Sequence, residues 1–313
     1  MIIKTKKIGI IGIGHVGSHV ASSIITQGVC DELVLIDIDK KKSESHAQDL
    51  SDTIVYMPHR VNVISGTYKD IIDADILVIS ASKPIFKEDR LEELENNIEV
   101  IDEIVPHIKE SGFSGIILSI SNPCDIIAYY VKKQTGLNVI GTGTALDSAR
   151  LRCEISRRTG LDSKSIQAYC LGEHGDSQMV PWSTVTVNGK PLLELMKEKS
   201  ETYGKINLKE IAFKTMKAGW SILLGKGSTE FGIGATTTEI IKAIFHNEKK
   251  VLPCSAMLNG SYGQADIYAS VPCVIGKNGV EEIIEIHLTK EEQDDFDNSC
   301  SVIKRNIDKI YNI

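Results

Sequence analysis

Five short apolar runs alternate with helix-like segments through the first half of this 313-residue chain. None of the runs alternates with polar residues as a strand with one face in water does, which indicates strands covered on both faces. The clearest helical pattern between them has apolar residues at three- and four-residue steps from Leu91 to Ile108. The runs are Ile8–Ile13, Leu33–Ile36, Val61–Ile64, Ile76–Ile79 and Gly115–Ile120. This alternation predicts an α/β fold with a doubly wound parallel sheet.

The second half of the chain, after Gly141-Thr142-Gly143-Thr144, has a different pattern. Thr184–Val187 followed by Asn188-Gly189 is typical of a β-hairpin. The other predicted segments are helices from about Leu146, at Leu208–Leu224, Thr236–Phe245 and Thr289–Ile313, and strands at Ile166–Leu171, Val251–Met257 and Ile267–Ile275. We therefore expect two domains, 1–143 with the parallel sheet and 144–313 with a mixed α+β fold.

The amino-acid composition indicates which kinds of partner the protein binds and in which cellular compartment it works. The net charge of −7 argues against nucleic acid as a partner. The seven cysteines are scattered, odd in number and without a Cys-x-x-Cys pair, which disfavours disulfides and structural zinc and favours a reducing cytoplasm. No apolar stretch approaches the roughly 20 residues of a membrane span. We expect a cytoplasmic protein that does not bind nucleic acid, a membrane or a metal ion.

Gly12-x-Gly14-x-x-Gly17 follows the first predicted strand and opens a helix near Val16. In this strand-turn-helix context, backbone amides at the helix start bind pyrophosphate, as in the Rossmann fold. Asp37 ends the next strand, 20 residues beyond Gly17, where a carboxylate accepts hydrogen bonds from ribose hydroxyls and repels a 2′-phosphate. The motif therefore predicts NAD rather than NADP as the cofactor, bound by the 1–143 domain.

The segment Gly172–Asp176 places His174 between two glycines, Gly172 and Gly175, so another molecule can approach the imidazole, while Asp147 and Arg150 precede it in the sequence. Histidine can give and take a proton near neutral pH, and an aspartate can fix its tautomer. An arginine binds a planar carboxylate by two parallel hydrogen bonds. These residue types suit reversible hydride transfer between a 2-hydroxy acid and a 2-oxo acid.

Two further segments complete the candidate site. The mostly polar loop Ser80–Arg90 follows the fourth predicted strand and ends in Arg90, a cation that could stabilise alkoxide charge after closure. Asn122 follows the fifth predicted strand, at the edge where open α/β sheets bind ligands. Asn122 could orient the cofactor carboxamide or a substrate oxygen, or could be an ordinary turn residue.

Along nearly its whole length the chain resembles the L-lactate/malate dehydrogenase family. The matching segments are Gly12–Gly17, Asp37, Ser121–Pro123, Gly141–Thr144, Leu146–Arg150, Gly172–Asp176, Lys226–Thr229, Ser261–Gly263 and Val271-Pro272. The resemblance implies that His174 is the acid/base, Asp147 its partner, Arg150 the carboxylate clamp and Arg90 the mobile carbonyl-polarising residue. It also implies that Thr229 lines the substrate pocket. The residues expected to bind cofactor are Gly12, Gly14, His15, Val16, Gly17, Asp37, Ala81, Asn122 and Ile233.

The loop Ala81–Arg90 bears on which acid is the substrate. Malate enzymes of this family typically carry an additional loop arginine for a second carboxylate, whereas apolar Ile85 and Phe86 lie near that place here. Burying an unpaired carboxylate against them would cost several kcal/mol. Lys83 and Lys87 leave the malate alternative open. Pyruvate is therefore the expected substrate, with branched 2-oxo acids as the alternative, because the loop tip and Ser177-Gln178 resemble the L-2-hydroxyisocaproate dehydrogenase branch.

Regulation and assembly follow from the resemblance alone. Lactate dehydrogenases activated by fructose 1,6-bisphosphate carry an arginine and a histidine at the anion site; Arg152 matches the arginine, but Gln167 replaces the histidine. Weak or absent activation is the expectation. The family implies a homotetramer or a dimer. A non-catalytic NAD-binding protein and an NAD-dependent glycosidase remain alternatives of other classes.

Overall fold

The chain forms two compact units. A computed structural model describes residues 5–83 and 90–310, without the side chains of residues 90–92. The first unit contains the residues up to Thr142 together with Ser228–Lys250 and Ile275–Glu281. The second contains Gly143–Gly227, Val251–Val274 and the residues from Glu282 onward. Two later segments of the chain thus return to the first unit.

A parallel sheet forms the centre of the first unit. Its strands are β1 (Lys7–Ile11), β2 (Glu32–Ile36), β3 (Asn62–Ser65), β4 (Ile76–Ile79), β5 (Ile116–Ser119) and β6 (Asn138–Gly141). They lie in the order β3-β2-β1-β4-β5-β6, and each neighbouring pair is parallel. The crossover helices are α1 (His15–Gln27), α2 (Lys40–Thr53), α3 (Arg90–Ser111) and α4 (Cys124–Thr135). The predicted doubly wound α/β fold is confirmed.

The strand order reverses between β1 and β4, and this reversal positions the cofactor segment. Every residue of β4 and of β5 is buried, as expected for strands covered by helices on both faces. The carboxyl ends of β1, β4 and β5 lie at one edge of the sheet, next to the switch point where open α/β sheets bind ligands. The predicted strands do not include β6, although Leu137–Ile140 has the same pattern of apolar residues around one asparagine as the Val61–Ile64 run.

The second unit is a mixed α+β fold, as predicted. Its elements are α5 (Ala145–Thr159), β7 (Ile166–Gln167), β8 (Thr186–Val187), β9 (Lys190–Pro191), α6 (Leu192–Glu198), α7 (Ser200–Tyr203), α8 (Leu208–Lys226), β10 (Lys250–Asn259), β11 (Ala265–Gly276) and α10 (Lys290–Ile310). The strand β12 (Gly279–Ile283) is divided between the units, and one end each of β10 and β11 also belongs to the first unit. Leu151, Ile155, Ile166 and Val185 are among its fully buried core residues. The β8–β9 hairpin is confirmed, since Asn188 and Gly189 both have positive φ.

Helix α9 (Phe231–Phe245) belongs to the first unit and packs along α1. The two helices approach closely at Gly234, where an added Cβ would lie 3.1 Å from the carbonyl oxygen of His19. Nearby, the Thr238 hydroxyl donates to Ser23 Oγ at 2.9 Å. The helix begins five residues before the predicted start at Thr236. The prediction started too late because glycine has a low helix propensity, whereas the close packing of the two helices requires a glycine at this position.

Within the described part of the chain, the helices are all too short or too polar to span a lipid bilayer.

Candidate active site

His174, Asp147 and Arg150 form a continuous hydrogen-bonded group in the second unit. His174 Nδ1 lies 2.6 Å from Asp147 Oδ2, and Arg150 donates from Nη1 to Asp147 Oδ1 at 2.8 Å. The Asp147 side chain is 4% exposed, whereas that of His174 is 27% exposed. The carboxylate is therefore enclosed between an imidazole and a guanidinium, and part of the imidazole reaches solvent.

Asp147 is held in its ionised form by its two partners. Burial alone would raise the pKa of this carboxyl, but the charge and hydrogen bonds of His174 and Arg150 outweigh it and lower the pKa below its ordinary 3.8. Asp147 also lies in the first turn of α5, where the helix dipole favours an anion. An ionised Asp147 accepts a hydrogen bond from Nδ1–H of His174, which fixes the tautomer with its lone pair on Nε2.

The backbone around Cys170 explains why residues 27 positions apart meet. Ser148 Oγ, on α5, accepts from the Cys170 amide at 2.8 Å, and Thr144 donates its hydroxyl to the Cys170 carbonyl. Gly172 then forms an antiparallel bridge with Ser270 of β11. The segment leading to His174 is thus tied to the helix that carries Asp147. Of the predicted strand Ile166–Leu171, only Ile166 and Gln167 form a ladder.

Asp147→Asn is expected to destabilise the protein by about 3 kcal/mol near pH 7, because the largely buried guanidinium of Arg150 loses its counter-charge. A carboxyl whose folded pKa is depressed contributes its stability fully above the unfolded value and loses it as pH falls through the folded pKa. The difference between wild type and variant should therefore shrink below about pH 3.8. Urea unfolding as a function of pH measures it, with the exposed Asp295→Asn as control. A difference that grows toward acid pH would contradict the assignment.

The Arg150 guanidinium faces an open position on α8. An added Cβ at Gly219 would lie 3.6 Å from Nη1 and 3.7 Å from Nη2 of Arg150, with no closer atom. A guanidinium carries five N–H donors, and Asp147 occupies Nη1 only in part. Arg150 can therefore bind a second carboxylate. Lys217, also on α8, pairs with Asp176 at 3.2 Å and ties this helix to the turn that carries His174.

The glycine segment of the first unit forms a cradle that only glycine fits. Gly12 has φ of 90°, and a Cβ there would lie 2.6 Å from backbone atoms of Ala81. A Cβ on Gly17 would lie 2.0 Å from the Gly12 carbonyl oxygen. Gly14, by contrast, has nothing within 4 Å of its ideal Cβ and is the N-cap of α1 without a side-chain cap. The helix N-terminus is thus bare and open, as a pyrophosphate group requires.

Asp37 lies where a ribose would be recognised, at the end of β2. Its Oδ2 accepts from the Ile13 amide at 2.7 Å, and its Oδ1 accepts from the Asp39 amide at 3.0 Å. Two backbone amides therefore orient the carboxylate beside the glycine segment while its remaining lone pairs can accept hydroxyl protons. The residues present fit NAD.

Asn122 is anchored at the carboxyl end of β5 by its backbone. Its carbonyl accepts from Asn97 Nδ2 at 2.7 Å, and Asn97 Oδ1 accepts from the Lys83 amide at 3.0 Å. Ser121 Oγ donates to the Ala81 carbonyl at 2.7 Å. The segments that follow β4 and β5 are therefore held together at the sheet edge where the glycine segment also lies.

Most of the remaining predicted site residues belong to the first unit. Half-buried positions there are occupied by Val16, Thr229 and Ile233, and helix α3 begins at Arg90. Ile85 and Phe86 lie outside the described residues. His15 is exposed at the start of α1, and its Nδ1 lies 4.0 Å from the buried Glu230. Neither Glu230 nor Lys217 is signalled by the sequence, because each depends on a long-range contact.

Two family models match adjacent parts of the chain. The lactate/malate dehydrogenase NAD binding domain matches residues 6–140, and the lactate/malate dehydrogenase alpha/beta C-terminal domain matches residues 144–313.

Individual proteins are similar over nearly the whole chain. An L-lactate dehydrogenase of Fusobacterium nucleatum is 47% identical over 309 residues, covering 98% of this chain and 97% of that protein. L-lactate dehydrogenase 3 of Bacillus thuringiensis is 46% identical over 304 residues, or 96% of each chain. The ligand-bound crystal structure of the minor L-lactate dehydrogenase of Enterococcus mundtii superposes with a TM-score of 0.94 at 41% identity, covering 98% of each chain.

Proposed function

The chain belongs to the lactate/malate dehydrogenase family, and we propose that it catalyses reversible NAD-dependent hydride transfer between L-lactate and pyruvate. The observation that carries this proposal is the His174–Asp147–Arg150 group, in which one imidazole is oriented by a carboxylate and adjoins a guanidinium. That group supplies an acid/base and a carboxylate clamp together. The relatives named L-lactate dehydrogenase support pyruvate as the acid.

The proton steps follow from the hydrogen bonds of the group. Arg150 binds the substrate carboxylate through its remaining N–H donors. During reduction, protonated His174 gives its Nε2 proton to the oxygen of the 2-oxo group, and Asp147 stabilises the imidazolium beforehand. In the opposite direction, neutral His174 accepts the hydroxyl proton at Nε2. His174 keeps its Nδ1 proton throughout, hydrogen-bonded to ionised Asp147, so the single nitrogen Nε2 serves both directions.

The first unit carries the residues for the cofactor. NAD, when bound, supplies or accepts the hydride. Gly12, Gly14 and Gly17, with His15 and Val16, would hold its pyrophosphate, and Asp37 its adenine ribose. By the family resemblance, Asn122 and Ile233 contact the nicotinamide, Ala81 borders the cofactor, and Thr229 lines the substrate pocket. The same resemblance implies that Arg90 polarises the substrate carbonyl.

Pyruvate is expected to be reduced with kcat/KM well above that of oxaloacetate. By the family resemblance, the segment that contains Ile85 and Phe86 is the one that selects the substrate side chain, and a second carboxylate buried against apolar residues without a partner would cost several kcal/mol. Initial rates of NADH oxidation with pyruvate, 2-oxoisocaproate, phenylpyruvate and oxaloacetate measure the order. Preference for oxaloacetate would overturn the choice of a monocarboxylic acid.

The same apolar pair favours a second candidate, an L-2-hydroxyisocaproate dehydrogenase acting on branched 2-oxo acids. One extra methylene changes discrimination by only about 1–3 kcal/mol, so both acids can be substrates. A higher kcat/KM for 2-oxoisocaproate than for pyruvate would favour this candidate. Absence of turnover with all four acids, with NADH still bound, would favour a non-catalytic NAD-binding protein.

Fructose 1,6-bisphosphate is expected to change the KM for pyruvate little, by about twofold at most, because a neutral amide cannot replace a charge-assisted phosphate contact. Gln167 is exposed on β7, and Arg152 is half-buried on α5. Pyruvate saturation curves with and without the bisphosphate test this. A large fall in KM would refute it, and Gln167→His should then raise the response further.

Three broader properties complete the proposal. Residues 1–143 act as the NAD-binding domain and 144–313 as the substrate domain, in line with the two family models. The protein works in the cytoplasm. It assembles as a homotetramer or dimer, which sedimentation velocity of the purified protein distinguishes from a monomer.

A further inference from the structure

Glu173, the residue before the candidate acid/base, closes the turn that carries His174. Its carboxylate is buried, and Oε2 accepts both the amide proton of Ser177 at 3.1 Å and the Ser177 hydroxyl proton at 2.6 Å. The side chain therefore bridges from one end of the turn to the other, four residues on. His174 lies inside the closed segment.

Ser299, on the last helix α10, anchors this turn from the outside. Its side chain is fully buried, and its Oγ accepts from the Glu173 amide at 2.8 Å. The same Oγ lies 3.1 Å from Ser177 Oγ. An added Cβ at Gly172 would lie 2.3 Å from Ser299 Oγ, so the glycine is what lets α10 approach the turn.

The three groups have one consistent pattern of donors. Ser177 gives its hydroxyl proton to the carboxylate of Glu173, which leaves its oxygen to accept the hydroxyl proton of Ser299. The Ser299 oxygen in turn accepts the Glu173 amide proton. Each hydroxyl therefore both donates and accepts, and the ring of bonds closes. Such buried networks fix a backbone more firmly than separate hydrogen bonds do.

We infer that Glu173, Ser177 and Ser299 are positioning residues that hold the backbone of the His174 turn so that Nδ1 stays in register with Asp147 Oδ2. This role rests on the proposed function of His174 as the acid/base. The Nδ1–Oδ2 contact is 2.6 Å long, so a small shift of the turn would lengthen or break it. A misplacement of about 1 Å at a reacting group costs about 10²-fold in rate. Through Ser299, the C-terminal helix contributes to a site that it does not line.

The first experiment measures pyruvate reduction. Ser299→Ala and Ser177→Ala should each lower kcat about tenfold, because partial loss of the network misplaces His174 by a fraction of an ångström. The Kd for NADH, measured by fluorescence, should stay unchanged, and deuterated NADH should reveal a larger isotope effect on kcat because the chemical step is slowed. Ser177→Thr keeps the hydroxyl and should therefore have a kcat close to that of the wild type. Ser301→Ala, on the exposed side of α10, is the matched control.

The second experiment does not depend on turnover. The Nδ1–H proton in the short bond to Asp147 gives a downfield NMR resonance, which His174→Asn identifies by its loss. Ser299→Ala and Ser177→Ala should shift or broaden this resonance, whereas Ser301→Ala should not. A shifted resonance without pyruvate turnover in the wild type would refute the proposed function alone. An unchanged resonance and kcat within twofold, with only a lower Tm, would refute the positioning role.

Discussion

His174→Asn should lower kcat for pyruvate reduction by about 10²- to 10⁴-fold, the range that a positioned general acid contributes. Asparagine retains a polar side chain near Asp147 but has no proton to give at neutral pH. The substrate oxygen would then develop negative charge with no donor to neutralise it. Stopped-flow and steady-state NADH oxidation measure the loss, which should persist at saturating pyruvate because the missing interaction acts on the chemical step.

Binding of NADH should survive this change. The glycine cradle and Asp37 belong to the first unit, whereas His174 belongs to the second. A fluorescence titration should therefore give the wild-type Kd. His287→Asn is the matched control, since His287 is an exposed histidine of the same unit as His174. Retention of more than a tenth of wild-type kcat by His174→Asn would exclude His174 as the acid/base.

The fold was predictable where residue pattern and burial agree. The apolar runs predict β1, β2, β4 and β5 because strands covered on both faces need mostly apolar residues. The run Val61–Ile64 also predicts β3, whereas β6 is not predicted although Leu137–Ile140 has the same pattern of apolar residues around one asparagine. Residue pattern also misplaces the start of α9, because Gly234 weakens the helical pattern but permits the close approach to His19. Packing, rather than local propensity, decides such positions.

The candidate site was predictable to the extent that chemistry requires particular residue types. His174, Asp147 and Arg150 could be chosen together because proton transfer and carboxylate binding need those three groups. The hydrogen bonds of Glu173 and Ser177 to Ser299 could not be predicted, because Ser299 is more than 120 residues away and a serine in a helix carries no signal of its partner. Such contacts depend on the folded arrangement of α10.

Arg150→Gln should raise the KM for pyruvate by about 10²- to 10⁴-fold, since removing one partner of a buried charge pair costs about 3–5 kcal/mol. Arg150→Lys should raise the KM for pyruvate about tenfold or more, because an ammonium group cannot form two parallel hydrogen bonds with a carboxylate. The Kd for NADH should not change. Arg157→Lys provides the control, since Arg157 is an exposed arginine on the same helix.

Gly219 provides an independent test of the same assignment without altering the arginine. A Cβ at this position would only touch the guanidinium of Arg150, at 3.6 Å, so Gly219→Ala should be tolerated. The branched side chain of Gly219→Val would extend beyond that Cβ toward the guanidinium and occupy space that the substrate carboxylate needs. Its KM for pyruvate should rise sharply while its Tm stays near that of Gly219→Ala. If Gly219→Val and Gly219→Ala had the same KM, the carboxylate would bind on another side of Arg150, and the Arg150→Gln effect would then report the loss of the Asp147 pair.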